Sequence, residues 1–418
     1  MDMKELEDRQ VDAIADYLKG KKITMCLSGG IASIEMPKVA RMLRRYGADV
    51  RAVMSDAAQK FITPLTMEWA TGNKVVTTLD GTAQHIDLED AVLVAPATLN
   101  TINKIAAGIA DNPLTTTVAS AMGRGIPIML APTMHMSLYE NPILQKNLNE
   151  FRNNEDYNIH IIEPRFSEGK AKLAKLDEIV AATTRQLANG PLSGVDVLMT
   201  VGPNEANVDA VRKIKNTSSG DLGIRIAKDL YMRGANVKVT YGPGTVHPPG
   251  YLDVTDVKGP DEMMQAVEDE LRRKDKNYRI SIFNAAVLDY APDKVIDEKV
   301  RSGDEMNVRL VPTKKIIKEV DKITEETGKK MYKVGFKLES KKSPEKLREI
   351  AYDSLQKNGC DLVIANDLSD IRVGKHIGYF IDTYRNYSTF NSKDHITHGL
   401  GEHLENYAME MKHRWQSR

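Results

Sequence analysis

The sequence is poor in cysteine, in aromatic residues and in net charge. Its 418 residues include two cysteines, Cys26 and Cys360, and only 6% aromatic residues. Two distant cysteines indicate neither a disulfide framework nor a Cys-x-x-Cys zinc knuckle, so a reducing cytoplasm is the expected location. Lys plus Arg and Asp plus Glu both number 58, so the formal net charge is zero. Because a nucleic-acid binder typically has a basic excess, no nucleic-acid partner is expected, and a small molecule is the expected ligand.

Long hydrophobic runs are also missing. No stretch approaches the roughly 20 apolar residues that a membrane span needs, so no membrane association is expected. Hydrophobic residues nevertheless make up 41% of the chain and charged residues 28%, which is typical of a protein that buries a sizeable core. At this length we expect two or three domains.

The sequence does contain a repeated alternation of short apolar runs with amphipathic stretches. This alternation predicts parallel sheets flanked by helices, and Asn189-Gly190-Pro191 is the best candidate for a hinge between two of them. We therefore predict an α/β protein with two Rossmann-like parallel-sheet domains, residues 1–189 and 190–418. The predicted strands cover 22–27, 50–54, 91–95, 127–131, 195–201, 236–241 and 278–283; predicted helices cover 103–110, 173–190 and 224–232, and another starts near Ser55.

Loops rich in glycine and hydroxyl residues follow several of these strands. Gly29-Gly30 follows the first strand, Gly202-Pro203 ends the strand at 195–201, and Ser218-Ser219-Gly220 precedes a helix. Such loops bind ligands at the carboxyl edge of a parallel sheet, and a helix N-terminus favours phosphate. Each loop is a weak signal alone, because Gly-Gly turns occur without ligands and a serine there can simply cap the helix. No G-x-G-x-x-G follows either first strand, which disfavours an NAD-dependent oxidoreductase.

Taken together, the motifs resemble two known enzyme families. Motifs at 29–32, 85–88, 95–101 and 132–134 resemble the flavin-containing cysteine decarboxylases. Motifs at 202–203, 216–220, 285–290 and 365–367 resemble phosphopantothenate–cysteine ligase. Their order resembles the bifunctional enzymes of coenzyme A biosynthesis over roughly residues 20–410. The resemblance implies an N-terminal flavodoxin-like flavoprotein domain and a C-terminal nucleotide-binding ligase domain.

For the first domain, the resemblance implies FMN-dependent decarboxylation of 4′-phosphopantothenoylcysteine to 4′-phosphopantetheine. His85 matches the catalytic histidine of the decarboxylases. The implied substrate contacts are Met134, His135 and Lys170 in this domain. In the second domain, Arg212 is an implied substrate contact. The implied FMN contacts are Ser28, Gly29, Gly30, Ile31, Ser55, Ala97, Thr98 and Asn100.

Two features depart from the decarboxylase pattern. His135 stands where the family usually has Asn, and the segment 163–172, which corresponds to the family's flap, has no cysteine to protonate the enethiol intermediate. We expect this segment to form a lid and His135 to act as the substitute acid. The alternative is an active ligase fused to an FMN-binding, oligomerising domain whose decarboxylase activity is altered or lost.

For the second domain, the resemblance implies CTP-dependent ligation of cysteine to 4′-phosphopantothenate through an acyl-cytidylate. Asn216 and Lys299 are the implied catalytic residues, although the charged run around Lys299 is also typical of a solvated face. Mg2+ is expected on the triphosphate, without a protein-only metal cluster. Relatives imply a homo-oligomer, with trimers of the first domain that assemble up to a dodecamer and dimers of the ligase domain. The implied CTP contacts are Gly202, Ser218, Ser219, Gly220, Ala285, Ala286, Asp289, Lys299, Phe336 and Lys357.

Overall fold

The chain divides into two compact units, Met1–Ala188 and Asn189–Arg418. A computed structural model describes residues 10–81, 90–300, 303 and 305–416, except for the side chains of residues 372, 413, 414 and 416. The N-terminal unit has strands β1 (Lys22–Leu27), β2 (Asp49–Met54), β3 (Ala91–Ala97), β4 (Ile128–Pro132), β5 (Met134–His135), β6 (Ile159–Ile161), β7 (Arg165–Ser167) and β8 (Lys170–Lys172). Its helices are α1 (Met36–Arg45), α2 (Pro64–Thr71), α3 (Leu99–Ala106), α4 (Pro113–Gly123), α5 (Met136–Tyr139), α6 (Pro142–Asn153) and α7 (Leu176–Gln186).

Five strands of the N-terminal unit form one parallel sheet with the order β2-β1-β3-β4-β6. This is the flavodoxin-like order, in which the chain reverses direction across the sheet beside the first strand. The strands are continuously apolar because both faces of the sheet are covered. In β1, for example, Met25 packs into the hydrophobic cluster that includes α1, whereas its neighbour Cys26 packs into the cluster on the other face. The remaining strands form a small antiparallel sheet with the order β5-β8-β7.

The C-terminal unit is built on an eight-stranded sheet. Its strands are β9 (Asp196–Val201), β10 (Glu205–Asn207), β11 (Lys213–Lys215), β12 (Asn236–Tyr241), β13 (Asp253–Asp256), β14 (Ile280–Phe283), β15 (Tyr290–Pro292), β16 (Leu310–Pro312), β17 (Tyr332–Glu339), β18 (Leu362–Asp367), β19 (Gly378–Asp382) and β20 (Tyr387–Phe390). Its helices are α8 (Asp221–Met232), α9 (Pro260–Arg272), α10 (Ile316–Thr327), α11 (Pro344–Asn358), α12 (Leu368–Arg372) and α13 (Lys393–Gln416).

The large sheet has the order β13-β12-β9-β14-β17-β18-β19-β20. Pairing is parallel from β13 to β18 and antiparallel from β18 to β20. Two small hairpin sheets, β10-β11 and β15-β16, lie beside it. The prediction of an α/β protein with two parallel-sheet domains is therefore confirmed.

All four predicted helices begin elsewhere in the structure: α7 starts at Leu176 and not at residue 173, α8 starts at Asp221 and not at residue 224, and the other two are described next. The helix predicted over 103–110 is α3, which starts earlier because the Thr98 side chain accepts a hydrogen bond from the Thr101 N–H and acts as its N-cap. Ser55 precedes only a short 3-10 turn, Ala58–Lys60, and α2 starts later, after Thr63 as its N-cap. Among the residues that the structure describes, no helix combines the length and the apolar character needed to cross a bilayer.

Candidate active sites

A cavity of about 1050 Å³ opens at the carboxyl edge of the N-terminal sheet. The loops after β1, β2, β3 and β4 all reach it, as expected for parallel strands that end at one edge. Its lining includes nine of the predicted contacts: Gly29, Gly30, Ile31, Ser55, Thr98, Asn100, Met134, His135 and Lys170. His85, the predicted catalytic residue, lies outside the described residues.

Two predicted FMN contacts lie beneath this lining. Ala97 is fully buried at the end of β3, and Ser28 is 1% exposed. The Ser28 hydroxyl donates to the Pro96 carbonyl at 2.7 Å and accepts from the Thr98 N–H at 3.1 Å. Ser28 therefore joins the loops that follow β1 and β3, and its side chain supports the cavity wall.

The Gly29 loop runs against the loop that follows β2. A Cβ atom added at Gly29 would lie 2.3 Å from the Cβ of Ala57, so only glycine allows this approach. The chain then enters a 3-10 turn, Ile31–Glu35, that leads into α1. Exposed backbone N–H groups of such a turn suit a phosphate group. A glycine cradle, hydroxyl and amide donors and a roomy cavity together fit a phosphate-bearing flavin.

The predicted lid is an ordered hairpin formed by β7 and β8. Glu168 and Gly169 form its turn, both with positive φ (52° and 64°), which is the backbone of a type I′ turn. The Gly169 carbonyl accepts from the Met136 N–H at 3.0 Å, and β8 pairs with β5, which sets Lys170 opposite His135. The Phe166 ring adds an edge-on contact with Tyr139, 5.3 Å between centroids. The hairpin is thus docked along the cavity, and its Arg165, Lys170 and Lys172 contribute to the lining.

The C-terminal unit has a smaller cavity of about 200 Å³. Three predicted CTP contacts line it: Ala285, Asp289 and Phe336. Sequence reasoning missed other lining residues, among them Thr200, Lys314 and Lys315. A signal for two of them was present, because two consecutive lysines directly precede the first turn of α10, where the helix dipole favours anions. Lys357 is exposed on the last turn of α11 and is not part of this lining.

Three predicted loops of the ligase unit meet at Ala286. The Asn216 side-chain amide donates to the Ala286 carbonyl at 2.9 Å, and the Ala286 N–H donates to the Gly202 carbonyl at 2.9 Å. The N–H of Asn204 also donates to the Ala286 carbonyl, at 3.0 Å. The structure therefore brings Gly202, Asn216 and Ala286 together, as the sequence predicted for residues of one site.

Two serine hydroxyls in the loop before α8 accept hydrogen bonds from backbone N–H groups of the same loop and of the first residue of α8. The Ser218 hydroxyl accepts from the Gly220 N–H at 3.4 Å, and the Ser219 hydroxyl accepts from the Asp221 N–H at 3.3 Å. Gly220 is the N-cap residue with φ of 80°, a conformation that favours glycine. These contacts are local serine turns and leave α8 without a side-chain cap at Gly220. A phosphate-binding role for the loop stays a prediction.

Arg212 and Lys299 flank a buried carboxylate. The Arg212 guanidinium forms an ion pair with Asp209, which is 1% exposed, and also donates to the Val300 carbonyl at 3.2 Å. Backbone N–H groups of Arg212 and Val211, with the Arg212 side chain and the Val300 N–H, lower the pKa of Asp209 to about 2. Lys299 is exposed next to this anchor and does not line the 200 Å³ cavity.

Two open α/β sheets, each with a cavity at its carboxyl edge, define a two-domain enzyme of the cofactor- and nucleotide-binding α/β class. Residues 14–188 match the family described as Flavoprotein, and residues 192–404 match the DNA/pantothenate metabolism flavoprotein C-terminal domain. Together with the relatives described next, these matches show that the chain belongs to the family of coenzyme A biosynthesis bifunctional proteins.

Curated relatives span most of the chain. It is 42% identical to the coenzyme A biosynthesis bifunctional protein CoaBC of Thermococcus kodakarensis over 84% of this chain and 86% of the relative. It is 33% identical to the protein of the same name in Haemophilus influenzae over 84% and 88% of the two chains. A solved structure titled DNA/pantothenate metabolism flavoprotein from Streptococcus pneumoniae covers 51% of this chain and all of its own, with 26% identity and a TM-score of 0.46. The predicted family and its bifunctional architecture are confirmed, and the N-terminal unit is a flavoprotein domain.

Proposed function

We propose that the N-terminal unit decarboxylates 4′-phosphopantothenoylcysteine with FMN, and that the C-terminal unit makes this substrate from 4′-phosphopantothenate, cysteine and CTP. Membership of the family establishes a bifunctional enzyme of coenzyme A biosynthesis with decarboxylase and ligase domains. The observation that carries the proposal is the convergence of Gly29, Thr98, His135 and Lys170 on one cavity of the flavoprotein unit.

FMN would be held by the Gly29-Gly30 cradle and by the side chains of Ser55, Thr98 and Asn100. When bound, FMN supplies reversible two-electron chemistry, so the cysteinyl thiol can be oxidised before CO2 leaves and the product reduced afterwards. No lining residue of the described part of the cavity is a cysteine, and we expect FMN to be bound without a covalent link.

The chain's own residues would bind and orient the substrate. The imidazole of His135 lines the cavity with its Nδ1 atom engaged by Ser137, which leaves Nε2 to donate a hydrogen bond to the substrate carboxylate. Arg165 and Lys170 add positive charge for the substrate's phosphate and carboxylate groups. The docked hairpin would restrict water at the reacting carbon, which protects a reactive intermediate.

In the ligase unit, Phe336 offers a ring on which the cytosine can stack, and Asp289 can accept from the ribose hydroxyls. Lys314, Lys315 and the N-terminus of α10 supply positive charge for the triphosphate, together with Mg2+ held chiefly by phosphate oxygens. Asn216 would hold the acyl-cytidylate, and Lys299 would offset the charge that develops as it forms and breaks.

A homo-oligomer that acts in the cytoplasm is part of this proposal, with trimers of the flavoprotein unit and dimers of the ligase unit. Exposed apolar side chains on the flavoprotein unit, among them Ile31, Leu65 and Trp69, are compatible with subunit contacts. Sedimentation of the whole protein would give the assembly directly.

The experiment that tests both activities is a single reaction with the purified FMN-loaded protein, 4′-phosphopantothenate, cysteine and CTP. Formation of 4′-phosphopantetheine supports the proposal. Accumulation of 4′-phosphopantothenoylcysteine would instead support the alternative, a working ligase fused to an inactive flavoprotein domain. His85→Asn should abolish CO2 release and leave pyrophosphate release intact, and equal loss of both activities would reject independent sites.

A further inference from the structure

We propose that Lys170 is the proton donor that completes the reduction step of the decarboxylase. The inference rests on the proposed function of the N-terminal unit and assigns a step within it. After CO2 leaves, the substrate is an enethiolate, and the saturated product needs a proton on the carbon next to nitrogen. A group in the cavity must deliver that proton.

Neither thiol of the chain can do so. Cys26 is fully buried inside β1, and Cys360 belongs to the C-terminal unit, where it is 4% exposed. Burial raises the pKa of each thiol to about 12. Neither cysteine lines the 1050 Å³ cavity.

His135 is arranged to donate a hydrogen bond, and this differs from its predicted role as the substitute acid. The Ser137 N–H points at His135 Nδ1 at 3.3 Å, and the Ser137 hydroxyl lies 2.9 Å from the same nitrogen. Because a backbone N–H can only donate, Nδ1 is the acceptor and the ring proton is on Nε2. If Nε2 gave up its proton, the ring would become an anion or would have to carry a proton on Nδ1. A proton on Nδ1 would face the Ser137 N–H, so neither outcome is favourable.

The other charged groups of the described lining are engaged or unsuitable. Lys104 is paired with Asp111 at 2.5 Å, and Lys172 is paired with Glu168 at 2.7 Å. Arg165 donates to the Leu173 carbonyl at 3.0 Å, and a guanidinium does not give up a proton in proteins. Asp56 accepts a hydrogen bond from the Gln59 side-chain amide at 3.5 Å, and the Lys104 hydrogen bond lowers the pKa of Asp111, which makes Asp111 a poor proton donor.

Among the lining residues that the structure describes, Lys170 is the cation that remains. Within the described residues it has no ion pair inside 4 Å, and its charge helps the Lys172 hydrogen bond to hold the pKa of Glu168 below its usual value. The pairing of β8 with β5 sets it directly opposite His135, and the type I′ turn fixes the strand that carries it. Lys170 lines the cavity beside His135, so its ammonium group can reach a substrate whose carboxylate is bound by His135.

The proposed step balances as follows. One proton moves from Lys170 Nζ to the enethiolate carbon next to nitrogen; the C=C bond becomes C–C, the C–S bond becomes C=S, and Lys170 becomes a neutral amine. The thioaldehyde would then be reduced to the thiol by one hydride from the reduced flavin and one proton from solvent. Lys170 regains its proton from water.

Lys170→Arg and Lys170→Met test the step in the full-length FMN-loaded protein without oxygen. Arg keeps the positive charge but cannot give up a proton, so we expect it to release CO2 once per flavin and stop. The products are identified by mass spectrometry, and the flavin absorbance shows whether the cofactor stays reduced. We expect the saturated thiol to form about 10²–10⁴-fold more slowly than in the wild-type protein, with the unsaturated enethiol in its place.

Lys146→Met, which changes an exposed lysine on α6 outside the cavity lining, is the matched control and should behave as wild type. Thermal melting and FMN content establish that both Lys170 variants are folded. Formation of the saturated product at the wild-type rate in both Lys170 variants would overturn the inference. Loss of CO2 release in Lys170→Arg would also overturn it, because Lys170 would then be needed at or before decarboxylation. Absence of CO2 release from the FMN-loaded wild-type protein would reject the decarboxylase function itself.

Discussion

The side-chain amide of Asn216 donates to the backbone carbonyl of Ala286 at 2.9 Å, although 70 residues separate them in the sequence. The same carbonyl also accepts from the Asn204 N–H. One contact therefore ties the loop before α8 to the loop after β14, at the carboxyl edge where a nucleotide is expected.

Asn216→Ala should weaken ligation by about 10–100-fold, because loss of a partly buried hydrogen bond costs about 1–3 kcal/mol and releases the Ala286 loop. Pyrophosphate release with CTP and 4′-phosphopantothenate is the measurement. CO2 release by the flavoprotein unit is the internal control and should not change. An unchanged rate of pyrophosphate release would mean that the Ala286 loop is held in place without Asn216.

Gly29 and Gly30 should differ in their response to alanine. A Cβ at Gly29 would meet Ala57 at 2.3 Å, whereas a Cβ at Gly30 has its nearest neighbour, Thr98 Cγ2, at an ordinary 3.5 Å. Overpacking of this kind costs about 1–3 kcal/mol, so Gly29→Ala should lower the Tm by several degrees and reduce the FMN content. Gly30→Ala should melt near the wild-type temperature, since φ of −148° suits any residue. Equal Tm values for the two variants would contradict the close approach of the loops.

Asp209 should make part of the stability depend on pH. Its pKa is lowered from 3.8 to about 2, chiefly by the Arg212 and Val211 N–H groups. Because the folded-state pKa is the lower one, the stabilisation is complete above the unfolded-state pKa and is lost as the pH falls through the folded-state value. Asp209→Asn should therefore be less stable than wild type at pH 7, and the difference should shrink between pH 4 and pH 2. Urea unfolding at both ends of this range is the test, and a constant difference would refute it.

The sequence predicts the strands of both sheets more accurately than the starts of the helices. The bounds predicted for β1 and β12 agree with the structure, because uninterrupted apolar runs between turn residues are unambiguous when both faces of a sheet are covered. The start of α3 was placed too late because Thr98 lies in a polar loop, and its role as N-cap depends on one local hydrogen bond.

The meeting of the loops that follow β1 to β4 at one cavity was predictable from the sequence, since the topology of a parallel sheet brings those loops to one edge. The two consecutive lysines, Lys314 and Lys315, are a signal for an anion site, but nothing in the sequence shows that the start of α10 lies beside Asp289 and Phe336. The position of the ring proton of His135 could not be predicted either, because it depends on the hydrogen bond from the Ser137 N–H to Nδ1 at the start of α5. Such features depend on tertiary geometry and not on residue pattern.

Lys299 is predicted to be catalytic, yet it lies in an exposed, charged segment, so its substitution is informative. The side chain is exposed, but the next residue, Val300, is anchored by its N–H to Asp209 at 3.3 Å and by its carbonyl to Arg212 at 3.2 Å. The backbone at this position is thus fixed, and the Lys299 ammonium group has no ion pair inside 4 Å among the described residues, so it can reach out to a bound acyl-nucleotide. If the cation offsets developing charge, it contributes about 3–4 kcal/mol, and Lys299→Gln should slow ligation by about 10²–10³-fold.

Lys294→Gln is the matched control for this prediction, because Lys294 is also exposed in the same segment and no catalytic role is predicted for it. Both variants should melt at the wild-type temperature, since neither removes a buried contact. The diagnostic measurement is single-turnover pyrophosphate release with CTP and 4′-phosphopantothenate, which reports the step that forms the acyl-cytidylate. Slow pyrophosphate release in Lys299→Gln together with a normal rate in Lys294→Gln would show that the positive charge of Lys299 acts in catalysis. Near-normal rates in both variants would show that Lys299 is only a solvent-exposed residue, as its charged neighbours indicate. The positive charge at the reacting phosphate would then have to come from Lys314, Lys315 and the metal.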